Sequence, residues 1–494
     1  MSDALARPSD AGRSAPPRSN AVVAVLAFAG IVAALMQTTV IPIVPELPRL
    51  LDASASNTAW AVTATLLAAA VATPVVGRLG DMHGKRRMLL FSVVLLITGS
   101  VVCALSDSVV PMITGRALQG LAVGVIPLGI SIMRDVLPAE RLAGSTALMS
   151  ASLGVGGALG LPSAAFIADN FDWHVLFWTS AALGAAALTL VLLLVPESEV
   201  RTGGHFDLVG SFGLAVGLIS LLLAVSKGGD WGWTSAGTLG LFATAVLALP
   251  AWGLYELRTD QPLVDLRTTA RRQVLFTNLA SVAIGFSMFA MSLVLPQVLQ
   301  LPEATGYGLG RSMLTVGLVL APQGLVMMTM STLSARLTKA KGPKITLMCG
   351  AVIVAAGYSL SLVLMSELWH FTLIACTIGG GIGFCYGAMP SLIMSAVPAS
   401  ETAAANSLNT LMRSLGTSFA GALAGVILAQ MTTDFGGSAL PSENGFKVVM
   451  AIGAGAALLA FVLASFIPGR RTAGQEEPTA DGPADAAEVA GART

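Results

Sequence analysis

Charge is what this sequence has least of. Lysine, arginine, aspartate and glutamate make up 11% of 494 residues, and the two signs balance at 27 each. A balanced net charge gives no reason to expect nucleic acid or a strongly acidic partner. Cysteine and histidine are equally scarce, at four apiece. Cys103, Cys349, Cys376 and Cys385 all fall in apolar runs, without metal-ligand spacing or an outside loop to bridge, so they read as packing residues. There is no Gly-x-x-x-x-Gly-Lys-Ser/Thr phosphate loop, no metal cluster, no nucleophile beside a base and no sizeable polar domain. These absences argue against an enzyme, an ATP-driven machine, and any metal or cofactor.

Apolar sequence is what remains. Hydrophobic residues reach 54%, and mean hydropathy is +0.78, far above soluble usage. A membrane-crossing helix needs about 20 mostly apolar residues. Fourteen segments qualify, near 21–45, 58–77, 88–106, 109–132, 144–168, 174–195, 208–226, 235–254, 274–299, 312–333, 345–366, 369–396, 404–431 and 447–467. The expected fold is therefore an all-α polytopic membrane protein in a lipid bilayer. The eighth segment has the weakest flanking signals, with Pro250 and Trp252 near its end. The first exceeds a signal-peptide core and lacks a small-x-small cleavage site, so it is expected to stay attached. Residues 1–19 and 470–494 are rich in Ala, Gly, Pro, Ser and acids; they cannot bury enough surface to offset chain entropy and are expected to be disordered.

With the N-terminus inside, most lysines and arginines of the loops and tails fall on the cytoplasmic side. Only Arg49, Lys227, Arg311 and Lys447 lie on the other, while Arg116 and Arg413 lie within spans. The positive-inside rule then puts both termini in the cytoplasm of a multi-pass cell-membrane protein. The high Ala and Gly content suits a GC-rich bacterial genome.

Between the second and third segments runs GRLGDMHGKRRML, Gly77 to Leu89, read as a short basic loop. Gly77 and Gly84 bracket Asp81, which is placed to accept hydrogen bonds from a helix end or to pair with a cation. The string resembles the signature loop Gly-x-Leu-x-Asp-Arg-x-Gly-Arg-Lys of the major facilitator superfamily of transporters. It matches at Gly77, Leu79, Asp81, Gly84, Lys85 and Arg86, while Met82 replaces the usual arginine. The plain alternative is an ordinary basic turn. The resemblance implies two parallel six-helix bundles with a site between them at mid-depth. A weak repeat agrees: ARLTKAKGPKITLM, Ala335 to Met348, aligns with the basic loop at a shift of 258, pairing Gly342 with Gly84 and Lys344 with Arg86. The expected division is a bundle over 20–196, an extra helix pair over 197–256, and a second bundle over 257–469. The polar stretch 255–273 is expected to lie along the membrane surface.

Arg116, in ITGRALQGLAVG, is the sharpest single residue. An arginine inside a membrane costs about 2.5–3.5 kcal/mol on insertion scales and normally faces a cavity with a partner. Its string looks like the family's span-four pattern Arg-x-x-Gln-Gly, whose arginine is implicated in proton transfer; a structural arginine held by backbone carbonyls is the other reading. Span five carries Gly154, Gly157, Gly160 and Pro162 in GVGGALGLPSAAFIAD. It resembles the family's antiporter signature in degraded form, with the proline one place late and Ala164-Ala165 for the last glycines. Close packing of two helices explains the glycines equally. Further resemblance is to the fourteen-span drug:proton antiporter branch. It rests on FDLVG with Asp207, on PLVDLR at Pro262 to Arg267, and on Glu401, Asn406, Asn409, Arg413 and Gly416 at the start of span thirteen.

That branch commonly carries an aspartate in span one, where Met36 stands here, and no acid lies securely at mid-depth. Proton coupling is thus implied by the family alone, with Arg116, Asp135, Glu401 and Arg413 as candidates. The family cavity would be lined by Gln37, Thr38, Trp60, Gln297, Gln323, Tyr386, Asn406 and Asn409, with Met327, Met328 and Met330 either contacting apolar ligands or simply packing. The expected activity is proton-driven export of amphipathic small molecules by a monomer, with the Asp81 loop latching the cytoplasmic side. Uptake or proton-independent facilitation of another solute is the alternative, supported by Met36 and the degraded span-five pattern.

Overall fold

The computed structural model describes residues 17–44, 46–198, 200–435 and 438–468. Fourteen helices are long and apolar enough to cross a membrane. In order, spans 1 to 7 are Pro17–Thr38, Trp60–His83, Lys85–Ala104, Val109–Val136, Ala139–Asn170, His174–Leu194 and Leu208–Trp231. Spans 8 to 14 are Ala236–Glu256, Arg272–Gln300, Met313–Lys341, Pro343–Ser361, Leu368–Met394, Thr402–Gln430 and Glu443–Ser465. Side-chain caps open several of them: Asp207 accepts from the Gly210 amide, Ser235 from Thr238 and Ser442 from Gly445. A small antiparallel hairpin, Thr432–Phe435 with Ser438–Pro441, joins spans 13 and 14.

Spans 1–6 share apolar cores built on residues such as Leu26, Leu89, Leu128 and Met149 near one end and Leu47, Met112 and Phe177 near the other. Spans 9–14 share a separate one around Ile284, Leu295, Leu347, Phe371 and Phe446. Span 7 docks against both groups, its Leu214, Leu218 and Leu222 meeting Ala70 of span 2 and Leu408 and Leu411 of span 13. Span 8 contacts the rest chiefly through span 7. Exposed Phe91, Phe212, Val246 and Leu247 would be a liability in water; on spanning helices they face hydrocarbon.

Several boundaries move. Span 1 ends at Thr38 rather than near residue 45, and Ile41–Ile43 follows as a 3-10 turn; the sequence there carries Pro42 and Pro45, which lack the N–H a helix needs. Span 1 also begins at Pro17, inside the stretch expected to be disordered; residues 1–16 and the C-terminal stretch 470–494 lie outside the described residues. The eighth helix runs unbroken past Pro250, and span 5 past Pro162. Within 255–273, Leu263 and Val264 are buried against span 7 and its neighbours rather than spread on the surface. Cys349 is exposed instead of packed.

The basic loop is a larger revision. Helix continues from Trp60 through Asp81 to His83 and resumes at Lys85, so a single residue separates the two spans. That residue is Gly84, at φ +115°, a backbone that side chains of L-residues rarely adopt. Its repeat partner Gly342, at φ +88°, likewise separates spans 10 and 11. The parallel continues one turn on. Arg86 donates to the Leu192 carbonyl at the end of span 6 (2.7 Å), and Lys344 donates to the Ser465 and Ile467 carbonyls at the end of span 14 (2.7 and 2.6 Å). In both halves a cation thus satisfies the last carbonyls of the sixth helix. The cations around Gly84, Gly342 and the ends of spans 4 and 8 make up the basic face of the protein.

Candidate functional site

At the basic face the two bundles are joined by charged groups taken out of solvent. Asp81 sits in the last turn of span 2 with its side chain wholly buried. Its two carboxylate oxygens accept from the backbone amides of Ala403 (3.1 Å) and Ala404 (2.8 Å), in the first turn of span 13. Those amides have no partner within their own helix, and the helix end carries partial positive charge, so a carboxylate is the matching group. Close approach depends on Gly77, where a Cβ would lie 2.3 Å from the Ser407 hydroxyl and 2.8 Å from the Ala403 carbonyl.

Lys85, also fully buried, lies between two acids: Nζ is 2.7 Å from Asp135 Oδ2 and 3.8 Å from Asp81 Oδ1. Asp135 also receives the Ser198 hydroxyl, while its second oxygen, Oδ1, has no partner. Arg134 completes the junction from the end of span 4. It donates to the Val397 carbonyl (3.1 Å), the Pro398 carbonyl (3.3 Å) and the Thr402 hydroxyl. Sequence reading had not singled out Arg134 or Ser198; the only signal was a cation beside Asp135 at a span end. Of the basic-loop residues, Gly77, Asp81 and Lys85 meet here, Gly84 lies against Glu197 and Arg201, and Arg86 turns back to span 6.

Arg116 lies elsewhere, among spans 1, 2 and 4, and is 2% exposed. Its Nε donates to the Ala61 carbonyl (3.3 Å), and Nη1 to the Met36 carbonyl (3.2 Å) and Gln119 Oε1 (2.6 Å). Gln119 in turn donates to Ser100 on span 3 (2.9 Å). The Met36 carbonyl belongs to the last turn of span 1, where helical donors run out, so the guanidinium serves as a cap delivered from another helix. In this conformation the side chain does not open onto a gap between the bundles.

The other expected residues are dispersed. Asp135 belongs to the junction. Glu401 is half-buried and, with Arg78, lines a cavity of about 170 Å³ under the connector that follows span 8. In that connector Asp265 caps a short helix, Leu266–Thr269; burial works to raise its carboxyl, but the hydroxyl and amide of Thr268 and the Arg267 amide hold it below its usual range. Arg413 lies twelve residues beyond Glu401, about 18 Å along the helix at 1.5 Å per residue. It stacks on Tyr386, with its guanidinium carbon 4.5 Å from the ring centre.

The cavity residues do not converge either. Gln37 is exposed, Thr38 packs at Gly160, and Trp60 lies 5.8 Å from the Lys227 ammonium. Gln297 lines a cavity of about 420 Å³ beside the hairpin, and Gln323 packs on Gly379 of span 12. Asn406 bonds its own helix at the Thr402 carbonyl (2.9 Å). Asn409 bonds Asn278 (2.9 Å) and Ser281 (2.7 Å) of span 9. Met327 is buried against Gly154 and Gly383.

Span 5 stands between the bundles. Gly156 and Gly160 bring it against Ala34, Leu35 and Thr38 of span 1, Gly154 meets Met327, and Pro162 meets Gly317 of span 10. Gly157 faces open space. Gly324 allows spans 5 and 10 to touch: a Cβ there would be 2.8 Å from the Gly154 carbonyl and 3.2 Å from Val155 Cα, atoms that cannot move aside. Gly324→Val is therefore expected to lower the thermal midpoint of the purified protein by several degrees through overpacking. Gly157→Ala is expected to leave it unchanged, and equal midpoints for the two would contradict the contact.

The Major Facilitator Superfamily model matches residues 26–421. An uncharacterized MFS-type transporter of Mycobacterium tuberculosis is 29% identical over 436 residues, covering 86% of this chain and 62% of that relative, so this chain spans less than two thirds of its length. Multidrug resistance protein 3 of Bacillus subtilis is 23% identical over 385 residues, 76% of this chain and 73% of that one. The solved structure of the human organic anion transporter TETRAN shares the fold, with a TM-score of 0.65 at 16% identity over 91% of this chain and 100% of that one.

Proposed function

Because this chain belongs to the Major Facilitator Superfamily, we propose that it is a membrane exporter of amphipathic small molecules, driven by proton antiport. The observation that carries this reading is the Asp81 junction. A carboxylate on one bundle holds the opening amides of a helix on the other, and Arg134 adds three more bonds across the same seam. Such a seam can close one face and release it, which alternating access requires. The basic face is then the cytoplasmic one, with both termini inside. A division at 20–196, 197–256 and 257–469 is part of the same proposal, supported by the apolar cores that spans 1–6 and spans 9–14 each share. Export is supported by the naming of the Bacillus relative as a multidrug resistance protein.

Proton coupling is best supported by the buried sequence Asp81–Lys85–Asp135. One ammonium faces two carboxylates, and one oxygen of Asp135 has no donor. A proton taken up by Asp135 would weaken its hold on Lys85 and with it the seam. Purified protein in liposomes, with an imposed pH gradient, is expected to move an amphipathic dye uphill, and a protonophore is expected to stop it. Equilibration of the dye regardless of the gradient would favour facilitated diffusion instead. That second reading is supported by Met36 in the place of the branch's span-one acid.

A further inference from the structure

We infer that Arg413 anchors a negatively charged group on the transported molecule, so that the substrates are amphipathic organic anions. This rests on the transporter reading above and narrows it. Among the described residues, every carboxylate on a spanning helix lies within three residues of a helix end: Asp81, Asp135, Glu140, Asp169, Asp230, Glu256 and Glu443. Among the described residues, then, no carboxylate at depth on a spanning helix offers a counter-ion to a cationic substrate. Among the described residues, two basic side chains stand at least seven residues from both ends of their span, Arg116 and Arg413.

These two differ in what their donors do. Arg116 directs Nε and Nη1 to two carbonyls and an amide oxygen and is sealed at 2% exposure. Arg413, on span 13, lies flat over the Tyr386 ring, and no carboxylate or carbonyl among the described residues accepts from it. The Tyr386 hydroxyl is itself directed to Met288 Sδ (3.2 Å), so the ring offers only its face. A cation over a ring is attracted but keeps its N–H donors free. Those five donors form a rigid fork that matches a carboxylate or sulfonate in two bonds.

Position also favours a ligand over lipid. Tyr386 is 1% exposed on span 12, the most enclosed of the fourteen helices, so a guanidinium stacked on it stands on the inner side of the molecule. Arg413 is half-buried rather than sealed. Beside it, Gly285 of span 9 lets the two backbones close, since a Cβ there would lie 2.3 Å from the Arg413 carbonyl oxygen, and one turn on Met288 offers a polarizable surface for an apolar body. An unpaired charge at this depth is costly, and an anionic ligand relieves that cost. Since guanidinium keeps its proton, Arg413 acts as a fixed charge and not as a proton carrier.

Two probes with one fluorophore and opposite charge test this: dansylglycine, a carboxylate, and dansylcadaverine, an ammonium. Fluorescence anisotropy on the purified full-length protein in detergent is expected to show dansylglycine bound at least about tenfold tighter, the worth of one charge-assisted hydrogen bond. Arg413→Met is expected to erase that preference, and Arg413→Lys, which keeps the charge but not the fork, to retain part of it. Wild-type protein that prefers dansylcadaverine, or binds neither probe, overturns the inference. So does an Arg413→Met protein that stays monodisperse and keeps its dansylglycine affinity. If that variant does not fold, the wild-type preference and the lysine variant decide. Binding has no direction, so an anion preference without uphill movement would reject export alone, and export without the preference would reject the anion site alone.

Discussion

Asp81→Asn is expected to insert and fold normally yet lose transport by about tenfold or more. Hydrogen bonds to a charged group contribute about 1.5–3 kcal/mol each. Asparagine keeps one acceptor oxygen for the amides of Ala403 and Ala404 and turns an NH2 group toward the other. The same change leaves Lys85 with Asp135 as its only acid. Both losses fall on the conformation in which the basic face is shut, so the balance moves toward the open one by about tenfold or more. Ser407 provides a reporter, since its hydroxyl is buried against Gly77 without a hydrogen-bond partner. In a chain freed of its four native cysteines, Ser407→Cys is expected to react slowly with a membrane-impermeant maleimide, and several times faster once Asp81→Asn is added. Unchanged labelling together with wild-type efflux would remove the latch from the mechanism.

Arg116→Ala is expected to have the second large effect, and it separates two roles for the same side chain. Removal leaves Met36 O and Gln119 Oε1 short of a donor inside the bundle, at about 1–3 kcal/mol for each group left unsatisfied, while Ala61 O keeps the Thr65 hydroxyl (3.0 Å). The thermal midpoint is therefore expected to fall by several degrees. Below that midpoint, uphill efflux is expected to drop to background while downhill exchange persists. Loss of both would make Arg116 a structural cap on span 1 and nothing more. Retained uphill efflux would strip it of any part in coupling.

How much of this could be read from residues alone varies with the range of the interaction. The number and order of the spans were legible, because each crossing demands its own apolar run, and even the weakly flanked segment around Pro250 is a full helix. The repeat was legible too: a shift of 258 aligned Gly84 with Gly342, and both prove to be left-handed breaks between consecutive spans. Asp81 could be expected to meet a helix end, though its own placement inside a helix could not, since the glycines around it suggested a loop. The partners of Arg116 were open between a cavity and carbonyls, and only packing chose the carbonyls. Arg134 was invisible, because a cation at a span end ordinarily just marks the basic side of a membrane.

Local composition was therefore enough for the membrane class and the fourteen crossings, since lipid imposes its demand on each segment separately. The partners of Asp81 more than 300 residues away, the docking of span 7 between the bundles and the stacking of Arg413 on Tyr386 came from how the helices assemble. Hydropathy says that a segment must be in the bilayer; it carries no term for which neighbour its polar atoms will find there. That choice is made by close contact between glycine-faced helices and by the need of each buried charge for a donor or acceptor, and both exist only once the chain is packed.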